Sequence, residues 1–377
     1  MKEIGAYIHI PFCKHKCSYC DFVSFAGKDD LIQQYIKCLK DEIRIKKNND
    51  YLVKTIYIGG GTPSYISAKS IKDILNVIRE KFKIDDNAEI TIEINPGTVD
   101  EEKMQTYIEA GINRISVGLQ SANDVLLKEI DRIHNFEQFL ETIRIAKSVG
   151  FSNINADVMI GLPNQTIYDV EDTINLLLKE NLQHISVYSL IVEDGTKIKK
   201  QIENKKLSLP DDEIERYMYW FTKRKLEKNG FIHYEISNFA KPGYASKHNM
   251  DCWNQKEYIG FGLNASSYED DVRYKNTSDL RAYINNLEKG EQFKNIQIEE
   301  RQDKKAKMDE FFLLGLRKIN GVNLNEFEHK FNENPIFIYK DTFEKLLDED
   351  LIVFDINYVK LSKKGLDLAN QVWEEFA

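Results

Sequence analysis

Residues 7–22 have the sequence Tyr7-Ile8-His9-Ile10-Pro11-Phe12-Cys13-Lys14-His15-Lys16-Cys17-Ser18-Tyr19-Cys20-Asp21-Phe22. A short apolar strand leads directly into three cysteines with the spacing Cys-x3-Cys-x2-Cys. Three thiolates leave a tetrahedral zinc ion one ligand short, but they can hold three irons of a cubane cluster and leave the fourth iron open. This loop therefore predicts a [4Fe-4S] cluster held by Cys13, Cys17 and Cys20, with a small ligand on the open iron.

Two other interpretations of these cysteines are a zinc site and a disulfide framework. A zinc ion could take its fourth ligand from His9, His15 or Cys38. A disulfide framework is disfavoured, because five cysteines is an odd number and a chain of 377 residues needs no covalent staple. No secretory signal is expected either, since charged residues such as Lys2 and Glu3 interrupt any apolar segment at the start.

The composition indicates a soluble protein. Hydrophobic residues make up 42% of the chain, enough for a sizeable core, and no apolar run approaches the roughly 18 residues that a membrane span requires. The net charge of −9 argues against a general nucleic-acid binder, because neutralising phosphates requires a basic surface. Free thiols in such a chain predict the reducing cytoplasm.

From residue 4 to residue 191 the sequence repeats a β-branched strand followed by an amphipathic helix. The predicted strands are 4–10, 55–59, 89–95, 112–120, 153–160 and 184–191. Ser67 is placed to cap the helix after the second strand. Parallel strands joined by such helices predict the α/β class, with a partial barrel of six strand-helix units.

Within each strand, one face is aliphatic and the other is polar. In the third strand Ile90, Ile92 and Ile94 alternate with polar residues, and the aliphatic face must pack on the helices. The polar face then lines the barrel with Tyr7, His9, Tyr57, Glu93, Asn95, Arg114, Gln120, Asn155, Asp157 and Tyr188. These residues could satisfy one another, with Glu93 or Asp157 paired to Arg114. Because two buried carboxylates are costly without a complete network, we favour a bound ligand, an amino acid joined to a nucleoside.

The cysteine loop resembles that of the radical S-adenosylmethionine (SAM) enzymes, in which SAM chelates the open iron. The preceding Tyr-x-His-x-Pro-Phe narrows the resemblance to the branch that contains oxygen-independent coproporphyrinogen dehydrogenase and haem chaperones. The resemblance extends over nearly the whole chain, through residues 59–64, 93–96, 113–121, 131–134, 155–157, 161–166 and 186–188.

The resemblance implies a set of SAM contacts. They are Tyr7, Tyr19, Gly60, Gly61, Thr62, Glu93, Gln120, Arg132, Asp157 and Ile191. Most of them are polar positions that the strand alternation also directs into the barrel. Arg132 lies outside any predicted strand, so a solvated side chain is the alternative for it.

A second motif, His248-Asn249-Met250-Asp251-Cys252-Trp253, resembles the His-Asn-x-x-Tyr-Trp of haem-binding members. Cys252 replaces the tyrosine, and Ser266 stands where the family usually has a histidine. The resemblance implies that His248 binds haem iron, with Cys252 as a competing ligand. Trp253 is expected to offer a flat apolar surface to the porphyrin.

Three domains are expected: a radical SAM partial barrel (1–200), a barrel extension that carries this motif (201–295) and a winged-helix-like C-terminal domain (296–377). In the extension, Tyr217, Trp220, Phe221 and Leu226 are predicted to form the apolar face of a helix. The charged segment 292–309 is expected to be the passage into the last domain. That domain is predicted from helices at 308–318, 323–331 and 338–347, strands at 351–354 and 358–361, and a helix from Ser362. DNA binding by it is disfavoured, because the helix at 338–347 carries as many acids as bases.

Two functions share this scaffold: radical oxidative decarboxylation of coproporphyrinogen III, and binding and delivery of haem. The dehydrogenase carries a fourth cysteine where Phe22 stands and a long N-terminal arm before the strand, and its four-propionate substrate requires a basic pocket. We therefore favour a haem chaperone that binds haem and a SAM-ligated [4Fe-4S] cluster. Its expected partners are haem and haem-accepting proteins, including membrane-associated respiratory proteins, without nucleic acid. The oligomeric state is left open, with a homodimer among the alternatives.

Overall fold

The computed structural model describes residues 1–47 and 50–377, and twelve strands within them form one sheet. Its centre consists of parallel strands in the predicted order. They are β1 (Lys2–Ile10), β4 (Tyr51–Gly60), β5 (Lys83–Ile94), β6 (Arg114–Gln120), β7 (Ile154–Ile160) and β8 (His184–Ser189). Two short strands, β2 (Phe12–Cys13) and β3 (Phe25–Ala26), pair with each other in the cysteine loop. The predicted partial barrel is confirmed.

Helices cover the outer face of these strands. They are α1 (Ile32–Ile45), α2 (Ala68–Lys81), α3 (Glu101–Glu109), α4 (Asp124–Glu129), α5 (Phe136–Val149) and α6 (Ile167–Lys179). Ser67 caps α2 as expected, accepting a hydrogen bond from the Ser70 N–H at 3.1 Å. Ile92 and Ile115 are fully buried against these helices, and each such side chain stabilises the fold by about 1.5–3 kcal/mol. The aliphatic faces therefore fix which side of every strand turns inward.

The segment 197–301, which includes the expected extension, flanks the barrel on both edges of the sheet. Its elements are α7 (Lys197–Glu203), α8 (Asp212–Lys228), β9 (Ile232–Glu235), β10 (Asn238–Ala240), α9 (Lys247–Trp253), β11 (Tyr258–Phe261), β12 (Ser266–Glu269), β13 (Val272–Asn276), α10 (Leu280–Glu288) and β14 (Ile296–Arg301). β10 pairs antiparallel with β8, whereas β11 pairs parallel with β1 and continues through β12 and β13 to β14. The segment 292–309, expected as a passage between domains, thus contains the edge strand β14.

The predicted apolar face of α8 is partly wrong. Met218, Thr222 and Leu226 are the buried residues of this helix, whereas Tyr217 is 48% exposed. The buried stripe is displaced by one residue, about 100° around the helix. The Trp220 indole N–H donates to a carboxylate oxygen of Asp367 at 2.6 Å, a tertiary contact that helical periodicity does not report.

The C-terminal domain has its own core, built from aromatic residues that include Phe312, Phe327 and Phe343. Its elements are α11 (Lys304–Gly315), β15 (Val322–Asn323), α12 (Leu324–Phe331), α13 (Pro335–Ile338), α14 (Lys340–Asp348), β16 (Ile352–Asp355), β17 (Tyr358–Leu361), α15 (Lys363–Asp367) and α16 (Ala369–Glu374). The sheet order β15-β17-β16 gives the wing, as expected. Across the described ranges, no helix is long and apolar enough to cross a membrane.

Candidate functional site

Two side chains distant in sequence direct hydrogen-bond donors at the cysteine loop, and a third polar contact comes from Ser24 within the loop. The Thr62 hydroxyl donates to Cys13 Sγ at 3.4 Å, Arg132 Nη1 lies 3.6 Å from Cys17 Sγ, and Ser24 Oγ lies 3.9 Å from Cys20 Sγ. All three cysteines are free thiols. Donors aimed at sulfur stabilise thiolates and cluster-bound cysteines, so this loop has the chemistry that a [4Fe-4S] cluster requires.

The candidates for a fourth zinc ligand are placed elsewhere. His9 Nε2 donates to the Val23 carbonyl at 2.9 Å, and its Nδ1 shares a hydrogen bond with the Tyr7 hydroxyl at 3.0 Å. Cys38 is buried in α1, and His15 is exposed. In the described part of the chain, no group of three or more His, Cys, Asp and Glu side chains is arranged around a single ion. A cluster instead distributes three cysteines over three irons, which fits this loop better than zinc does.

The glycines at the end of β4 allow the chain to approach the cysteine loop closely. Gly60 has a φ of +115°, and a Cβ there would lie 2.7 Å from the His9 ring. A Cβ at Gly61 would lie 2.9 Å from Cys13 Sγ. The Gly61 N–H and the Thr62 N–H donate to backbone carbonyls of the strand-to-loop segment, both at 2.9 Å. The two loops therefore form one unit, and side chains at 60 and 61 would separate them.

Two acidic side chains face the barrel interior. Glu93 accepts hydrogen bonds from the Tyr57 hydroxyl at 2.9 Å and the Gly60 N–H at 3.2 Å. Burial, together with the negative charge of Asp157, raises the pKa of Glu93 to about 7. Burial also raises the pKa of Asp157, which accepts from Asn155 Nδ2 at 2.7 Å. Both side chains keep partial exposure to the interior, so both can accept further hydrogen bonds.

Arg114 does not pair with these carboxylates. Its side chain is 2% exposed, and its charge influences the pKa of both Glu93 and Asp157. Within residues 1–47 and 50–377, Arg114 forms no hydrogen bond or ion pair with either carboxylate. The alternative in which the polar residues satisfy one another through this arginine is therefore not observed.

Arg132 is engaged with the site rather than solvated. Its Nη2 donates to the Gly118 carbonyl at 2.6 Å and to Asn95 Oδ1 at 2.9 Å, while its Nη1 reaches Cys17. The solvated alternative is therefore wrong. Because Arg132 joins the cysteine loop to β6 and to Asn95 after β5, it is one of the long-range contacts, with Thr62, that hold the loop over the barrel mouth.

The remaining predicted SAM contacts lie at the same end of the barrel. Thr62 Oγ1 accepts from Asn95 Nδ2 at 2.9 Å, and Tyr19 is partly buried close to the charge of Arg132. Gln120 ends β6 with a φ of +73°, at an irregularity in its pairing with β7. A positive φ is uncommon for glutamine and redirects this side chain. Ile191 follows β8 and is 69% exposed.

The helix that carries the second motif closes the opposite end of the barrel. Glu89, in the middle of β5, accepts hydrogen bonds from the backbone N–H groups of Lys247 and His248, both at 3.1 Å. His248 Nδ1 is 2.9 Å from Thr55 Oγ1, and its ring stacks on Tyr57 with centroids 5.2 Å apart. Burial and the charge of Arg114 lower the pKa of His248 to about 4. The motif therefore supplies a neutral imidazole to the barrel floor.

A cavity of about 390 Å³ connects this floor with the cysteine loop. His248 and Cys252, one helical turn apart on α9, line it together with Tyr7, His9, Phe22 and Tyr258. Phe22 is 62% exposed here, and Ser266 also reaches the cavity at the position where the family usually has histidine. The volume lies in the range of small-molecule sites.

The expectation of an open indole surface at Trp253 is wrong for one face of the ring. The Arg317 guanidinium lies 4.4 Å from the Trp253 ring centre and 4.7 Å from that of Trp373. Trp253 is the last residue of α9, where the helix meets the C-terminal domain, so this face is used for domain contact.

The chain matches two family models, the radical SAM superfamily over residues 7–177 and the HemN C-terminal domain over residues 302–368. It is 38% identical to heme chaperone HemW of Lactococcus lactis over 100% of this chain and 97% of the relative. It is 36% identical to heme chaperone HemW of Bacillus subtilis over 99% of this chain and 98% of the relative.

Among solved structures, coproporphyrinogen III oxidase (HemN) from Escherichia coli, described as a radical SAM enzyme, superposes with a TM-score of 0.86. That likeness covers 100% of this chain and 90% of the other at 20% identity, and it shows the fold alone. Combined with the full-length similarity to the curated relatives, the cysteine loop and the C-terminal domain show that this chain belongs to the HemW family of the radical SAM superfamily.

Proposed function

We propose that this protein is a haem chaperone, which binds haem and a SAM-ligated [4Fe-4S] cluster and delivers haem to acceptor proteins. The observation that carries the proposal is the cavity beside the cysteine loop, lined by His248 and Cys252. The name of the curated relatives, heme chaperone HemW, supports it. Acceptors that include membrane-associated respiratory proteins, and a cytoplasmic location, belong to the same proposal, which admits a homodimer without requiring one.

In this proposal Cys13, Cys17 and Cys20 hold the cluster, whose open iron coordinates SAM. The barrel residues orient that ligand, since Glu93 and Asp157 present acceptors to its amino and hydroxyl groups. Thr62 and Arg132 keep their donors on the sulfurs of Cys13 and Cys17. The remaining SAM contacts are Tyr7, Tyr19, Gly60, Gly61, Gln120 and Ile191.

Haem binding without coproporphyrinogen conversion is the direct test of the function. The described residues that line the cavity include Asp21 but no lysine or arginine, an unfavourable wall for a substrate with four propionates. After anaerobic reconstitution with iron, sulfide and SAM, we expect haem titration to saturate near one haem per chain. Incubation with coproporphyrinogen III and a reductant should yield no protoporphyrinogen. Formation of protoporphyrinogen would establish the dehydrogenase function instead.

SAM affinity is expected to fall as the pH falls through 7. The pKa of Glu93 is about 7, so its ionised fraction decreases on acidification, and only the ionised form is a full acceptor for the SAM ammonium group. If Glu93 alone controls the pH dependence of SAM binding, the affinity for SAM at pH 6 should be about tenfold weaker than at pH 8. Isothermal titration of reconstituted protein with SAM across this range measures the effect.

The matched control is Glu93→Gln, which keeps the shape of the side chain and removes its titration. It should bind SAM more weakly at pH 8, and any pH dependence that remains reports ionisation of SAM itself or of Asp157, whose pKa is also raised. Asp157→Asn, with its own partners on β6 and β7, should weaken binding and move the Glu93-dependent fall in affinity to lower pH, because the Asp157 charge helps to raise the pKa of Glu93. Parent and Glu93→Gln curves that coincide at every pH would show that Glu93 does not contact SAM.

A further inference from the structure

Two buried polar atoms on neighbouring barrel strands have no partner. Arg114 Nε on β6 and Thr91 Oγ1 on β5 are enclosed, and neither makes a hydrogen bond within the described residues. Arg114 is 2% exposed and Thr91 0%. The two residues are direct register neighbours across the β5–β6 pair, on the inward face of both strands. Buried polar atoms in folded proteins usually have a partner, and this pair combines a buried cation with a hydroxyl on the neighbouring strand.

The surroundings of Arg114 indicate that a ligand group bound beside it would carry a negative charge. The charge of this guanidinium influences the titration of Tyr57, Glu93, Asp157, His184 and His248. The nearest acids already have other donors, since Asp157 is bonded to Ser116 and Asn155, and Glu93 to Tyr57. His184 and His248 are buried and lie on the barrel floor. A cation in this position has been withdrawn from water without a direct counter-ion, a costly arrangement that an anionic ligand group would relieve.

We propose that Arg114 and Thr91 form a carboxylate subsite inside the barrel, which binds a carboxylate of a ligand held there. A guanidinium presents parallel N–H donors that match a carboxylate, and the Thr91 hydroxyl adds a further donor on the neighbouring strand. The inference rests on the proposed function for its ligands, because SAM and haem both carry carboxylates.

Thr91→Val and Arg114→Gln test the subsite. Arg114→Lys is the matched control, because it keeps the positive charge and removes the paired N–H donors of the guanidinium. Each variant is reconstituted, and its iron content is measured first, to show that the cluster and the fold are intact. We expect Arg114→Gln to weaken binding of the carboxylate-bearing ligand roughly 10- to 100-fold, with a smaller loss in Arg114→Lys. Thr91→Val should weaken the same ligand while raising the melting temperature of the ligand-free protein, because it removes an unpaired buried hydroxyl.

Matched ligand pairs identify the source of the carboxylate. The probes are haem against haem dimethyl ester, and SAM against its decarboxylated analogue. If haem supplies the group, the parent should prefer haem to its ester, and Arg114→Gln should lose that preference and leave SAM discrimination unchanged. If SAM supplies the group, Arg114→Gln should reduce the preference for SAM over its decarboxylated analogue and leave the discrimination between haem and its ester unchanged.

Unchanged discrimination in both pairs, with a lower melting temperature in Thr91→Val, would show that an ordered water satisfies these atoms, and the subsite would be rejected. A parent protein that binds neither SAM nor haem would instead refute the proposed function, so the two failures are distinguishable.

Discussion

Cys17→Ser is expected to leave the anaerobically reconstituted protein without its cluster. A serine hydroxyl is a poor ligand for cluster iron, and the two remaining cysteines hold a cubane by only two irons. Cys17 is also the sulfur that receives the Arg132 guanidinium, so the variant loses the most strongly charged donor contact of the loop. Iron and sulfide per chain, with the visible absorption of the cluster, should fall close to zero. Cys13→Ser and Cys20→Ser should behave in the same way.

The chain supplies its own controls, since Cys38 and Cys252 are free thiols outside the loop. Cys38 is buried in α1 near the Ile284 carbonyl, where it acts as a small hydrophobe. Cys38→Ala and Cys252→Ala should therefore retain parental iron. Parental iron in Cys17→Ser would refute the assignment of the cluster. Loss of iron in Cys38→Ala at an unchanged melting temperature would show that Cys38 is a metal ligand, as in the alternative with a fourth protein ligand.

His248→Ala is expected to abolish most haem binding, whereas Cys252→Ala should retain it. The low pKa of His248 keeps its imidazole neutral, and its Nδ1 is bonded to Thr55, which leaves Nε2 for iron. A metal-bound histidine commonly has its other ring nitrogen fixed in this way. Burial, with the adjacent charge of Asp251, raises the pKa of the Cys252 thiol to about 12. Thiolate ligation would therefore require removal of a tightly held proton.

Haem titration of both variants, with spectra of the reduced carbonyl adduct, separates the two ligands. Thiolate-ligated haem gives a Soret band at markedly longer wavelength than imidazole-ligated haem, because the thiolate donates more electron density to iron. A thiolate-type band in the parent that disappears in Cys252→Ala would reverse the assignment. If both variants bind haem as the parent does, α9 is structural and the haem site lies elsewhere.

The cysteine loop and the polar barrel wall were predictable because their signals are local. The spacing of Cys13, Cys17 and Cys20 depends only on a few neighbouring residues. Strand alternation has a period of two, so Ile92 facing the helices forces Glu93 to face the interior whatever the rest of the chain does. Ser67 at the start of α2 is a local signal of the same kind.

The sequence could not show which of those polar residues bind one another. Alternation assigns Arg114 to the interior but gives no distance to Glu93 or Asp157, and only the barrel geometry shows that they do not pair. Arg132 is a similar case: no periodicity reports its contact with Cys17, which lies 115 positions earlier in the chain.

The sequence alone therefore determined the barrel and the inward-facing residues and predicted the cluster ligands, because each depends on spacing within one element. The tertiary structure decided that Glu89 anchors α9 beneath the barrel and that His248 enters its floor, contacts that span about 160 residues. It also decided that Trp253 stacks on Arg317 and that β14 joins the large sheet. Such contacts form between surfaces that meet only after the chain has folded, and a local pattern specifies which face a residue occupies but not what will pack against it.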